Sequence, residues 1–409
     1  MELPFPDHSF ARIAVRVRRK AVAAVRQGHP WLFADSVERC SRDGAPGDTA
    51  VLFDPDGKLL GAGLFDPLSP VRVRILAHGA GEPPVGPELF RKLVREAAER
   101  RAGKIPPGTT AWRVIHGESD GFPGLAADRY ENVLVMKLYS SAWPPRIGEL
   151  AQELMRADPG LDTLVVRLSR ELAGLPEEVR CGLTDGMCIP PAFGGKKIFR
   201  ENGIFFEADL KTGQKTGFFL DQRDNRARVE QLARGRDVLN VFCFSGGFSL
   251  YAARGGARSV TGIDFDRHAV EACERNFELN AENAAIRACR HAEIRGDAFE
   301  EMARLAARKQ TFDMVIVDPP SFAKSKADLP AALRSYSALA RAAVKLLRRN
   351  AVLVFASCSS RASAEDVFQA VEEAGGSHLE IFDKTYHAPD HPSFFAESGY
   401  LKCLWAKWK

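Results

Sequence analysis

From about residue 200 the chain alternates two patterns, and the alternation limits what it can fold into. VLNVFCF (238–244), SVTGIDF (259–265), MVIVDPP (314–320) and AVLVFAS (351–357) are short apolar runs rich in β-branched residues. Between them lie GFSLYAARGG, DRHAVEACERNFEL and PAALRSYSALARAAVKLL, which have helical spacing. In the second of these, positions 269, 270, 273 and 277 share one face. Strands alternating with helices specify a parallel sheet wrapped by helices. Such sheets bind ligands at the carboxyl ends of their strands. The residues that follow each apolar run are therefore the first candidates for a site, and the expected class is α/β.

The upstream half reads differently. Residues 1–80 hold RIAVRVRR, TAVLFDPDGKLLGAGLF and PVRVRIL, in which DPDG is a hairpin turn; this predicts a small β-rich domain. HGAGEPPVGPE (78–88) reads as a linker into a helix, LFRKLVREAAERRAG, followed by the turn DGFPG and the strand NVLVMKLY. Residues 85–195 are thus expected to form an α+β domain, and 196–409 the strand–helix domain. A chain of 409 residues, 45% apolar and 27% charged, has the material for two or three cores. No apolar run reaches the ~20 residues that span a bilayer, and residues 1–20 contain no apolar signal core. A cytoplasmic protein with no membrane partner is expected. The eight cysteines include no CxxC pair, so no metal site is expected and free thiols are.

The net charge is only +4, but Ala11 to His29 contains Arg12, Arg16, Arg18, Arg19, Lys20 and Arg26 and no acid. Such a run is either a solvated face or a strip for phosphates. Arg12, Arg16, Arg18, Arg19 and Lys20 are the candidates for RNA backbone contact.

The strand ends carry the chemistry. FSGGFS follows the first run, and Gly246 and Gly247 let the backbone turn tightly beside a ligand, with Phe244 and Ser245 on the same loop. The loop is not GxGxxG, which argues against a dinucleotide. Asp264 ends the second run, where a carboxylate can accept ribose hydroxyls. Asp297, in RGDAFE, can receive an adenine amino group, although each aspartate is alone as easily a helix cap. Together they describe an adenosine pocket without a pyrophosphate cradle, which suits S-adenosylmethionine. DPPSF (318–322) follows the third run: two prolines brace Asp318, Pro319 lies beside it, and Phe322 can stack on a base. Cys358 follows the fourth run. It is either a small strand-end filler or a nucleophile, and its place beside DPPSF favours the nucleophile.

With these motifs in view, the chain resembles the class I S-adenosylmethionine-dependent large-subunit ribosomal RNA methyltransferases of the RlmI type. The resemblance rests on GHPWLFADSV (28–37), HGESDGFPGLAADRY (116–130), GFFLDQRDNR (217–226), NVFCFSGGFSL, GIDFD, DPPSFAKSK (318–326), FASCSS and HPSFFAESGYLK (391–402), and so covers nearly the whole chain. It implies a PUA-like RNA-binding domain, a central α+β domain and a Rossmann-like methyltransferase domain with a parallel-rich sheet. It implies methylation of cytosine carbon 5 in 23S ribosomal RNA or a large-subunit precursor, with Cys358 and Asp318 catalytic, and a homodimer. It also implies that Asp221, Gln222 and Arg223 lie at the methionine end of the cofactor; Arg223 is then a cation that could lower the pKa of the thiol. The chain departs from the pattern at Asn240, where many class I enzymes have an acid, and by one inserted residue between Phe355 and Ser357. The DPP motif has no cysteine, which leaves the group that assists product release unassigned. Two other readings remain open at this point. One is methylation of an exocyclic amine or guanine nitrogen, which needs no cysteine; the other is a non-catalytic RNA-binding assembly factor.

Overall fold

The computed structural model describes residues 3–323, 325–395 and 398–409, except the side chain of Lys326. Lys324, Ala396 and Glu397, which belong to two of the motifs above, lie outside the described residues. The chain divides into two compact units. One comprises residues 1–199, 208–220 and 389–395; the other comprises 200–207, 221–388 and 396–409.

The second unit is built on a seven-stranded sheet. Its strands are β1 (Asp237–Val241), β2 (Ser259–Asp264), β3 (Arg290–Arg295), β4 (Phe312–Val317), β5 (Leu347–Ser357), β6 (Leu379–Thr385) and β7 (Lys402–Trp408), in the spatial order β3-β2-β1-β4-β5-β7-β6. The first five are parallel, and β7 runs antiparallel to both β5 and β6. Its helices of eight or more residues are α1 (Arg223–Leu232), α2 (Gly247–Arg254), α3 (Arg267–Leu279), α4 (Ala298–Ala307), α5 (Leu329–Val344) and α6 (Ala364–Gly375). Leu239, Val241, Val315, Val317, Leu353 and Phe355 pack in one core with Tyr336, Leu339 and Val371. Burying each such side chain contributes about 1.5–3 kcal/mol, and this is what fixes the sheet beneath the loops. The expected α/β sheet is present.

One boundary moves. The first strand stops at Val241, not Phe244, because Phe242 (φ 62°), Phe244 (φ 49°) and Gly246 (φ 80°) all take left-handed backbone. That geometry cannot continue a strand, and each non-glycine instance costs about 1–3 kcal/mol. Cys243, expected in the core strand, therefore lies in the turn, still buried.

The first unit contains two sheets. In spatial order the six-stranded one runs Trp31–Phe33, Val71–His78, Leu59–Phe65, Thr49–Phe53, Arg12–Val17 and Val37–Cys40. All its pairings are antiparallel except that of Arg12–Val17 with Thr49–Phe53. The DPDG turn closes its hairpin with Gly57 at φ 84°. A helix, Arg19–Arg26, sits inside this β-rich region and was not legible in the sequence. It buries only Val25, so its apolar face is too short to stand out among the cations. The five-stranded sheet runs Met187–Ile189, Thr163–Leu168, Val133–Leu138, Leu125–Tyr130 and Ala111–His116, flanked by helices Pro87–Arg101 and Ile147–Ala157. The two sheets share polar contacts: the Asp66 carboxylate accepts hydrogen bonds from Ser140 and Ser141, each at 2.6 Å.

The HGESDGFPGLAADRY motif is accounted for by buried pairing. Asp120 accepts from Arg101 at 2.6 Å, Arg100 at 3.0 Å and the His116 amide at 2.6 Å. Asp128 takes Arg113 through both carboxylate oxygens. Asp390, from the segment 389–395, accepts the Arg113 amide at 2.9 Å. Buried, paired charges of this kind cost heavily if one partner is removed.

Candidate active site

Because β1, β2, β4 and β5 are parallel, the residues after their last positions emerge at one end of the sheet. Phe244–Gly247, Asp264, Asp318 and Cys358 are therefore at the same end, as the sequence order required.

The turn after β1 is built for close approach. A Cβ on Gly246 would lie 2.4 Å from the Cys273 sulfur, so only glycine fits, and its positive φ has the same requirement. The Phe244 amide donates to Asp264 Oδ2 and the Asp266 amide to Asp264 Oδ1, both at 2.9 Å. These two bonds orient the carboxylate and leave each oxygen a lone pair. The Ser245 hydroxyl and Asn240 Oδ1 are buried without a hydrogen-bond partner among the described residues, although the Asn240 amide donates to Ser249 at 2.9 Å. Phe265, next to Asp264, is 76% exposed, and Phe299, next to the α4 cap, is 39% exposed. Asp297 does cap α4: its Oδ1 accepts from the amides of Phe299 and Glu300. A tight glycine turn, an oriented carboxylate, an unpartnered hydroxyl and exposed aromatic faces fit an adenosyl group. Sequence reading missed the two phenylalanines; their signal is an aromatic immediately after, or two after, a strand-end aspartate.

Asp318 is aimed by a relay of neutral groups. Trp405 Nε1 donates to Thr385 Oγ1 at 2.7 Å, which donates to Asn225 Oδ1 at 2.6 Å. Asn225 Nδ2 donates to Gln222 Oε1 at 2.6 Å, and Gln222 Nε2 donates to Asp318 Oδ2 at 3.1 Å. The relay sets which way both buried amides point. Pro319 is buried behind Asp318, while Pro320 is exposed. Asp221 accepts from the Tyr400 hydroxyl at 2.7 Å. Arg223 is buried, and its Nε donates to Asp224 at 3.2 Å. Phe322 is half-buried, with its ring 5.1 Å from that of Tyr336.

The serines around Cys358 shape its loop. Ser357 Oγ bonds the Tyr336 hydroxyl at 2.9 Å and accepts the Ser359 amide. Ser359 Oγ accepts the amides of Arg361 and Ala362. Cys358 itself is half-buried, neither sealed in the core nor fully open. Lys402 completes the loop from β7, where it pairs in register with Ser357. Its Nζ donates to the Ser359 carbonyl at 2.5 Å and to the Ala362 carbonyl at 2.6 Å. The side chain is 1% exposed. Burial pulls its pKa down to about 8, against opposing pulls from Cys358, Asp366 and Glu365.

The basic strip is largely occupied. Arg16 donates to the carbonyls of Asp54 and Pro55, Arg18 to that of Val37, and Lys20 to Asp35 at 2.8 Å. Arg19 lies 4.0 Å from Asp56. Arg12 is exposed on its strand. A surface cavity of about 570 Å³ is lined by Lys20, Phe33, Asp35 and Ser36 among others. The cations therefore occupy a strand, a turn and a helix of the first unit, most of them bonded within it. Among the described residues no helix is long and apolar enough to cross a membrane, and no cluster of metal-ligating side chains occurs.

Comparison with known proteins agrees with this geometry. A family described as S-adenosylmethionine-dependent methyltransferase matches residues 175–405, and a PUA-like domain family matches 15–78. A ribosomal RNA large subunit methyltransferase of Deinococcus radiodurans is 43% identical over 408 residues, covering 98% of each chain. Ribosomal RNA large subunit methyltransferase I of Pseudoalteromonas translucida is 32% identical, covering 94% of this chain and 96% of its own. A crystal structure of a methyltransferase complexed with S-adenosylhomocysteine superposes with a TM-score of 0.79 at 22% identity, covering 96% of this chain and 99% of that one, and shares the fold. The chain belongs to the S-adenosylmethionine-dependent methyltransferases of the ribosomal RNA large subunit methyltransferase I family.

Proposed function

We propose that the protein methylates carbon 5 of a cytosine in large-subunit ribosomal RNA, with Cys358 as a covalent nucleophile. The observation that carries this reading is a half-buried thiol just after β5, the strand beside the one that Asp318 follows, at the same end of the sheet as the glycine turn. Its relatives' names supply the substrate class.

S-adenosylmethionine, when bound, supplies an electrophilic methyl group. Asp264, Ser245, Gly246 and Gly247 would hold its adenosyl part, with Asp297 beside the adenine through the carboxylate oxygen left free by the α4 cap. Asp221, Gln222 and Arg223 would lie toward its methionine part. Carbon 5 of cytosine is too weak a nucleophile to be alkylated unaided. The Cys358 thiolate adds to carbon 6, and the new S–C6 bond turns the ring into an enamine that is nucleophilic at carbon 5. Carbon 5 would take the methyl group as the sulfonium S–CH3 bond breaks and S-adenosylhomocysteine leaves; a base would then take the carbon-5 proton, the S–C6 bond would break and the thiolate would return. Splitting one hard step into easier ones is the advantage of covalent catalysis. Asp318 would hold the base edge, accepting from the exocyclic amine, and in its protonated form would donate to N3 as negative charge develops there. The target base must be out of its stack to reach the loop, with Pro319 and Phe322 beside it. Arg12, Arg16, Arg18, Arg19 and Lys20 would serve register and phosphate contact, not base choice. A second copy of the chain is the remaining expected partner.

The test is methylation of a large-subunit ribosomal RNA transcript, with the product nucleoside identified by mass spectrometry. The expected product is 5-methylcytidine, and Cys358→Ala should produce none while still binding cofactor. Retained activity in Cys358→Ala, or an N-methylated product, would favour the amine or guanine-nitrogen chemistry. Cofactor binding with no transfer by the wild type would favour an assembly factor.

A further inference from the structure

Lys402 is an ammonium buried to 1% exposure, and among the described residues no carboxylate lies within ion-pairing distance of it. Its hydrogen bonds go to two carbonyls of the loop that starts at Cys358. A buried cation satisfied only by neutral acceptors is costly, and it persists where its charge is used. Asp366 and Glu365, on α6, are the carboxylates whose charge reaches it; Cys358 is the remaining group that does. From α5 the Tyr336 phenol bonds Ser357, the residue before the thiol, and from the end of β4 the charge of Asp318 is felt at Cys403, the neighbour of Lys402.

We infer that Lys402 is a positioning residue for Cys358: it pins the nucleophile loop through the Ser359 and Ala362 carbonyls, and its protonated form sets a positive charge against that loop that favours the thiolate. This deepens the reading of Cys358 as the nucleophile and rests on it. The arrangement couples two chemistries in one side chain. The carbonyl bonds fix where the sulfur sits, and the charge favours its ionised form over the neutral thiol, as expected for cysteines next to a cation. Lysine reaches this place because β7 runs antiparallel to β5, which sets Lys402 opposite Ser357.

The test reads the thiol, not turnover. The rate of iodoacetamide alkylation at Cys358, quantified by peptide mass spectrometry, is followed against pH in the wild type, Lys402→Arg, Lys402→Gln and Lys402→Met. The wild-type midpoint should fall below the ~8.5 of a free cysteine. Lys402→Gln and Lys402→Met should raise it by about one unit, a roughly tenfold loss of rate at neutral pH. Lys402→Arg should keep most of the wild-type profile. A folded charge-neutral variant with an unchanged midpoint overturns the inference. If neither neutral variant folds, a wild-type midpoint at or above that of free cysteine overturns it by itself. A normal alkylation profile combined with full activity of Cys358→Ala would instead overturn the nucleophile reading and leave the Lys402–Cys358 coupling standing.

Discussion

The two ends of the seven-stranded sheet carry the same kinds of charge and use them differently. At the end where the parallel strands begin, Arg258 donates to both oxygens of Asp237, at 3.0 and 2.6 Å. Arg348 bridges Asp237 and Asp313 at 2.8 and 2.9 Å, and Ser259 adds a further bond at 2.7 Å. Carboxylate and guanidinium neutralise each other there. At the end where the strands finish, Asp264 is oriented by backbone amides and Asp318 by a side-chain amide, and the Lys402 ammonium is oriented by carbonyls. Neutral donors and acceptors fix direction without cancelling charge. One end uses its charges for stability; in the function we propose, the other holds them for a ligand and for chemistry.

Substitutions at the two ends should separate along that line. The largest effect is expected at Asp318. Asp318→Asn keeps the shape but removes the acceptor charge, and should lower kcat by about 10²–10⁴-fold, the usual range for a positioned acid–base group. Its melting temperature should stay near the wild-type value, and single-turnover methylation with thermal melting reads both. If activity survives, Asp318 belongs with the structural end of the sheet.

A smaller effect, on stability alone, is expected at Asp237. The hydrogen bond from Arg258 leads the interactions that hold its carboxyl well below the ordinary carboxylate range. Its folded-state pKa is depressed, so the stability it contributes is present above the unfolded value of 3.8 and disappears as pH falls through the folded value. Asp237→Asn should cost roughly 1–2 kcal/mol at neutral pH, less in strong acid, and leave kcat unchanged where the protein is folded. Denaturant titration at neutral and acidic pH checks this. A loss that does not shrink in acid would show that packing, not charge, dominates at this end.

How much of this could be read from the sequence follows from how local each signal is. The strand–helix alternation set the sheet, and a parallel sheet leaves one end for Gly246, Asp264, Asp318 and Cys358, so their common place was legible. Lys402 was not: it reaches the Cys358 loop only because an antiparallel strand far downstream pairs it with Ser357. The relay to Asp318 also joins side chains from positions 222, 225, 385 and 405, which no local pattern connects. The basic run shows the same limit. Its cations were easy to count, but the partners that set their directions, the carbonyls of Val37, Asp54 and Pro55 and the Asp35 carboxylate, come from later strands and turns and were not legible. The helix inside that run was masked for the same reason, since charge hid a single buried valine.

The central claim is a bond between the sulfur of residue 358 and carbon 6 of cytosine. The most direct measurement uses ribosomal RNA carrying 5-fluorocytidine, with S-adenosylmethionine, followed by denaturing electrophoresis and peptide mass spectrometry. Fluorine cannot leave as the proton does, so the S–C6 bond should persist as an adduct on the Cys358 peptide and be absent from Cys358→Ala. A wild-type protein that methylates ordinary RNA but forms no adduct, or forms it through another cysteine, would contradict the account.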